Sequence, residues 1–409
     1  MGYSIGVCGV GQFARSFIPL FKEHPGVDEV VLADIIPERA REQADRFGIE
    51  RIFHGLEELC ASHVDAIALF TQRHLHGPQA IAALKAGKHV YSAVPIAQSI
   101  EEIGTIIDLA AKQRLIYMTG ETSYYYPATI YCRERHARGD FGHIFYGEAQ
   151  YLHDMSHGFY DAFKFSGGDE WKRVAGVPPM YYPTHSVSMI LSVTGARATH
   201  VSCLGWVDPH DDGIFRVGGN LWDNPYSNQT ALMRTSDGGM CRINEFRRVG
   251  WAGGNSVHMS LFGTKACFEE QANAQVWVEL DRKIKMDLSE QLACSPSRPI
   301  RTDQDLHEAL QAEFFMGVAP VHPVDRLPAT FRGLPNGHYG SHQFLVDDFV
   351  KAVSWGQLPP NHAWNAARYC IPGLVAHESS KRNGEMLEIP DFGDPPADWP
   401  ILDPNRSLA

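Results

Sequence analysis

The sequence predicts an α/β protein in two parts: a doubly wound parallel sheet over residues 1–120, then an α+β unit over 121–409 with a large, mostly antiparallel open sheet. Three observations predict it. A chain of 409 residues exceeds the usual single-domain size. Its first ~120 residues alternate short β-branched runs with amphipathic stretches, the rhythm of a parallel sheet covered on both faces. From about Glu121 the runs lengthen and the alternating helices stop, which suits an antiparallel sheet with one covered face.

In the first part the predicted strands are Ser4–Cys8, Glu29–Ala33, Ala66–Phe70, His89–Ser92 and Ile116–Thr119. Between them, Gln12–Glu23 sets Phe13, Phe17 and Phe21 at i, i+4 spacing, and Gly77–Ala86 and Ile100–Lys112 carry similar apolar stripes. Pro19 falls inside the first of these helices and should bend it. The second part predicts strands at Phe145–Leu152, Thr199–Leu204, Thr230–Met233, Met240–Phe246 and His258–Phe262. Residues from about Lys285 to Tyr339 show no sustained period and read as long surface connections. Helices return at Ser341–Ser354 and Ala363–Lys381, with a kink at Pro372 and a stop at Gly384, and are expected to pack back toward the cleft between the two parts.

Composition narrows the function classes. Lys plus Arg number 36 against 48 Asp plus Glu, a net charge of −12. That sign repels phosphate backbones and anionic lipid, so neither nucleic acid nor membrane is expected as a partner. No apolar run reaches the ~20 residues of a membrane span, and the N-terminus enters a strand without a basic leader, which makes the cytoplasm the expected location. Eight cysteines are scattered with no CxxC pair, so reduced, mostly buried thiols are expected. His74-x-His76 and His153-x-x-x-His157 lack a metal-site carboxylate pattern, and no metal is expected.

The first chemical motif follows the first strand directly. Gly9-Val10-Gly11-Gln12-Phe13-Ala14 is a GxGxxA run between strand and helix, the context in which glycines admit a pyrophosphate to the backbone amides. Asp34, at the end of the second strand, is placed to accept ribose hydroxyls and to repel a 2′-phosphate. The run predicts a Rossmann domain that binds NAD in preference to NADP.

Beyond this motif, Leu69-Phe70-Thr71-Gln72-Arg73-His74-Leu75-His76, the segment Ala80–Val90 and the late Gly337-His338-Tyr339-Gly340 resemble the Gfo/Idh/MocA family of sugar and inositol oxidoreductases over nearly the whole chain. That resemblance implies a nicotinamide cofactor at an interdomain cleft and polyol or pyranose substrates. Two departures stand out. Where the family usually reads Glu-Lys-Pro, with a proton-transferring lysine, this chain has Ala93-Val94-Pro95. The family's DxGxHxxD segment is here Tyr181-Tyr182-Pro183-Thr184-His185-Ser186-Val187-Ser188. Both departures, with Tyr151-Leu152-His153-Asp154, Arg138–Gly142 and Ile389–Phe392, are similar to the family's branch of NAD-dependent glycosidases resembling α-N-acetylgalactosaminidase, although Ser186 stands where that branch commonly has glycine.

This resemblance implies catalytic roles for His185, Tyr151 and His153, with tightly held NAD recycled within each turnover. A pyranoside would be oxidised at C3, lose its C2 proton and its C1 substituent, add water and be reduced again. Neutral imidazole suits proton transfer at pH 7. Motif and resemblance together set Gly9, Gly11, Gln12, Phe13, Asp34, Thr71, His76, Ala93, Pro95, Glu121 and Trp171 at the cofactor. Lys172, Arg173 and Tyr182 are expected at the substrate, the two cations offering a site to an anionic group. The alternative is an NAD-dependent sugar or cyclitol dehydrogenase using His185 as proton acceptor, and a third reading is a silent NAD-binding regulator. A homodimer or homotetramer through the open sheet is expected.

Overall fold

The computed structural model describes residues 2–251, 256–295, 317–334 and 336–406. Its first sheet contains β1 (Tyr3–Cys8), β2 (Val27–Ala33), β3 (Ile52–Phe53), β4 (Ala66–Leu69), β5 (His89–Ser92) and β6 (Tyr117–Thr119), in the order β3-β2-β1-β4-β5-β6. All five pairings are parallel. Covered on both faces, its central strands bury their apolar residues: Val7, Val31, Leu32, Ile67 and Leu69 are fully buried. Strand order reverses between β1 and β4, and the crevice at their C-terminal ends is where such sheets bind ligands.

The strands predicted in the first part are all present, each within two residues of its expected ends, and the two-residue β3 is added. The first helix is a correction. A 3-10 turn, Ala14–Ser16, ends at Phe17, and a separate α-helix, Ile18–Glu23, holds Pro19 in its first turn, where no intrahelical donor is lost. Two further helices, Pro37–Phe47 and Leu56–Ala61, were not predicted from the apolar stripes. The first is mostly polar, starts with proline and ends at Gly48 with φ 63°.

The second sheet contains β7 (Ile144–Leu152), β8 (Ala198–Val207), β9 (Tyr226–Thr235), β10 (Met240–Phe246), β11 (Val257–Gly263), β12 (Ala266–Glu270), β13 (Gln275–Glu279), β14 (Ile284–Asp287) and β15 (Leu387–Glu388). Their order is β14-β13-β12-β11-β7-β10-β9-β8-β15. Only β7 and β10 run parallel; the other pairings are antiparallel. Helices Pro127–Ala137, Thr184–Thr194 and Ala363–Lys381 lie against this part of the molecule. The stretch after Glu121 is therefore more helical than expected, because short helices there lack a long apolar stripe. Lys285–Asp287 belongs to β14 rather than to a connection, and residues 296–316 of the predicted connection lie outside the described residues. The opposite face of the sheet exposes Leu204, Trp206, Leu232 and Met240.

A buried ionic cluster joins the two parts. Arg326 donates to Asp347 (3.1 Å) and Asp348 (2.8 Å), Lys351 donates to Asp347 (2.7 Å), and His24 from the first part meets Asp347 at 3.3 Å. Tyr125 donates to Asp348 and accepts from Arg326 (2.9 Å). Two full cations thus face two carboxylates, all nearly inaccessible to solvent. The cluster seats the helix His342–Trp355, whose first residue meets His338 at 3.0 Å.

Candidate active site

An open cleft of about 1890 Å³ runs along the C-terminal ends of β1, β2 and β4 and under the second part. Gly9, Gly11, Gln12, Phe13, Asp34, Thr71, His76 and Ala93 line it. Gly9 has φ +84°, and a Cβ there would sit 3.0 Å from the Phe70 carbonyl oxygen, so only glycine fits the turn. At Gly11 a Cβ would meet only Phe165, at 3.8 Å, which leaves the backbone open to a ligand. Asp34 accepts from Val10 N–H (3.0 Å) and Ile36 N–H (2.9 Å), tying the glycine turn to the end of β2. The glycine cradle and the carboxylate beside it fit a dinucleotide. The segment behind the cradle is a 3-10 turn rather than a long helix, so backbone amides of the turn itself would hold a pyrophosphate.

Several expected cofactor residues have other partners. His76 is buried between the carbonyls of Pro95 (3.0 Å) and Thr71 (3.1 Å), and burial lowers its pKa to about 4. A neutral ring has one N–H, so it bonds one carbonyl as donor and braces the loop after β4 against the Ala93–Pro95 segment. Pro95 presents one of these two carbonyls and is not on the cleft wall. Trp171, Lys172 and Arg173 are also absent from the wall. Trp171 packs edge-on against Tyr160, and Arg173 pairs with the exposed Glu170 at 3.5 Å. The short helix Trp171–Ala175 turns these side chains away from the wall.

Helix Tyr160–Gly167 instead lays its end over the crevice. Arg39 stacks on Phe165 at 4.4 Å and reaches its carbonyl at 3.5 Å, while Gln72 donates to the Ser166 carbonyl at 2.7 Å. Arg39 also stands 4.0 Å from Asp34. These contacts form a clasp across the cofactor groove. Phe165→Ala is expected to speed release of NAD about tenfold, the effect of one lost packed aromatic contact worth about 1–2 kcal/mol. Stopped-flow displacement of bound NAD checks this, and an unchanged release rate removes the clasp.

At the inner end of the cleft, β7 and β10 run parallel, which brings their C-terminal residues side by side with Glu245 paired to Tyr151. Tyr151 stands 5.4 Å from His185, 5.3 Å from His153 and 6.2 Å from Tyr182, ring to ring. All four line the cleft. His185 is the second residue of helix Thr184–Thr194, in its first turn, and its Nδ1 meets Glu121 Oε1 at 2.6 Å, which leaves Nε2 for a ligand. Glu121 is a correction to its expected cofactor contact: fully buried and off the wall, it accepts from Ser123 N–H (3.0 Å) and Oγ (2.8 Å) and orients His185. Burial alone would raise its carboxyl, but the charge and hydrogen bond of His185 hold it below the ordinary value.

His153 stacks on Phe159 at 3.8 Å, and burial beside Arg247 holds its pKa well below the ordinary value, so it is neutral at pH 7. Arg247 lies 4.8 Å from the Tyr151 ring and donates to Glu245 at 2.9 Å. Ser186 donates to the same carboxylate at 2.5 Å, so the serine that replaces the branch's glycine has a buried partner. Burial raises Glu245 to about 7 against the opposing pull of Arg247.

Arg73, Arg39, Phe159, Phe163 and His338 also line the cleft and were not singled out. His338 has φ 48° and contacts His342 at 3.0 Å. The signal available for it was the GHYG run, already noted for family resemblance. Arg39 sat in an ordinary amphipathic helix and carried none.

Comparison with known proteins agrees with this architecture. Residues 3–121 match the family model described as Gfo/Idh/MocA oxidoreductase, NAD-binding Rossmann fold. A glycosyl hydrolase family 109 protein of Streptomyces filamentosus is 24% identical over 95% of this chain and 77% of its own length. A second, from Streptomyces niveus, is 25% identical at the same coverages. A levoglucosan dehydrogenase solved with NADH and levoglucosan superposes with a TM-score of 0.71 at 19% identity, over 96% of this chain and 100% of that one. A myo-inositol 2-dehydrogenase from Lactobacillus plantarum does so at 0.66 and 17%, over 95% and 100%.

Proposed function

We propose, from the premise that residues 3–121 belong to the Gfo/Idh/MocA oxidoreductase family, that this enzyme is an NAD-dependent glycosidase. In this reading residues 1–120 hold NAD, residues 121–409 hold the glycoside, and the exposed apolar face of the second sheet joins copies of the chain. The observation that carries it is the group His185, Tyr151 and His153 facing one volume of the cleft, with apolar Val94 where a dehydrogenase of this family has its lysine. The family 109 relatives support the same reading.

Bound NAD supplies reversible oxidation at a sugar hydroxyl carbon. His185 Nε2 accepts the hydroxyl proton, and the buried Glu121 carboxylate balances the imidazolium that forms. Neutral His153 is a second acceptor, suited with Tyr151 to removing the proton next to the carbonyl and to guiding water back. Tyr182, whose hydroxyl pKa burial raises, accepts from Arg73 and keeps its own proton to offer to the sugar.

Glycosidases that use two carboxylates never touch the C2 hydrogen. Turnover of 4-nitrophenyl pyranosides in D₂O, without added NAD, is expected to release a sugar carrying deuterium at C2. Cleavage with no C2 deuterium overturns the elimination route. A second reading, net sugar oxidation, is favoured by the likeness to levoglucosan dehydrogenase. It predicts stoichiometric NADH from free sugars.

A further inference from the structure

Arg73 follows β4 on the turn Arg73–Leu75 and faces the inner end of the cleft. Its guanidinium lies 4.6 Å from the ring of Tyr182, 5.1 Å from Phe163 and 5.4 Å from Phe159. Each neighbouring arginine has a carboxyl group beside it: Arg39 stands by Asp34, Arg247 by Glu245, and Arg248 by Asp208 and Asp212. Among the described residues Arg73 has no carboxylate partner. A recess beside the cleft is lined by both Arg73 and Arg247, together with Tyr182, Phe159 and Phe163.

A half-buried guanidinium set among three aromatic rings, and hydrogen-bonded to the Tyr182 side chain, has lost water that cation–π contacts replace in part, and its five N–H donors exceed what one hydroxyl can take. Its planar fork matches a carboxylate or sulfonate with two parallel hydrogen bonds. Cofactor phosphates belong at the Gly9–Phe13 turn after β1, whereas Arg73 shares its surroundings with Tyr182 and the stacked pair His153 and Phe159. The geometry points to an anionic subsite: the substrate is a pyranoside bearing a carboxylate or sulfonate, held by Arg73. The charge once expected at Lys172 and Arg173 thus resides elsewhere. This inference rests on a sugar substrate in the cleft and holds for either outcome of the D₂O experiment.

The test titrates the NAD-loaded protein with D-glucuronate against D-glucose, D-galacturonate against D-galactose, and 6-deoxy-6-sulfoglucose against D-glucose. At least one anionic sugar is expected to bind about tenfold or more tightly than its neutral counterpart, as a charge-assisted pair implies. Arg73→Gln should abolish that preference, Arg73→Lys should keep part of it, and the affinity for NAD should stay unchanged in both. The carboxylate and sulfonate arms tell which anion the fork prefers. Absence of preference in every pair overturns the proposal, as does preference that survives in Arg73→Gln. A parallel loss of NAD affinity overturns it too, by assigning the charge to the cofactor. Because free sugars are bound without cleavage, failure here leaves the glycosidase reading to its own test.

Discussion

Replacing His185 by alanine is expected to lower turnover about 10²–10⁴-fold while NAD stays bound, the usual cost of removing a general base. Its imidazole is held by a buried carboxylate at 2.6 Å. That bond fixes which nitrogen faces the ligand. Glu121→Gln keeps the shape but loses the charge that stabilises imidazolium, so it should reduce kcat with little change in KM and shift the acidic limb of the pH–rate profile downward. Steady-state kinetics across pH, with fluorescence titration of NAD, check both. Near-normal kcat in His185→Ala would return this histidine to a packing role, and an unmoved pH limb in Glu121→Gln would detach the carboxylate from proton transfer.

The second large effect concerns stability. Arg326→Met strips Asp348 of its cation deep in the molecule, and breaking a buried pair from one side costs about 3–5 kcal/mol. Asp347 keeps Lys351 and the His24 contact, so the loss falls mainly on Asp348. Arg326→Met with Asp348→Leu removes both charges and is expected to recover most of the stability. Urea unfolding followed by tryptophan fluorescence reads both variants. If the single variant matches the parent, or the double variant is as unstable as the single, the cluster is not the strut between His24 and the helix His342–Trp355.

The parallel sheet was legible because its strands are short apolar runs punctuated by glycine, a pattern that forces burial on both faces whatever surrounds it. Gly9 and Asp34 were legible for a related reason: turn geometry and a strand-end carboxylate are local requirements. The helices between Pro127 and Thr194 were hidden because they are short and packed on several sides, which erases the period that marks a helix.

His185, Tyr151 and His153 were named from motif likeness, yet their meeting depends on two strands more than 80 residues apart in sequence running parallel and on a helix crossing them. Local sequence specified the cofactor turn, since backbone sterics act over a few residues. Only the tertiary structure decided that Glu121 stands behind His185, that Trp171, Lys172 and Arg173 turn away, and that Arg73 faces the cleft with no carboxylate partner among the described residues. Those outcomes follow from charge pairing and packing across the chain, and such interactions leave no spacing in the sequence to read.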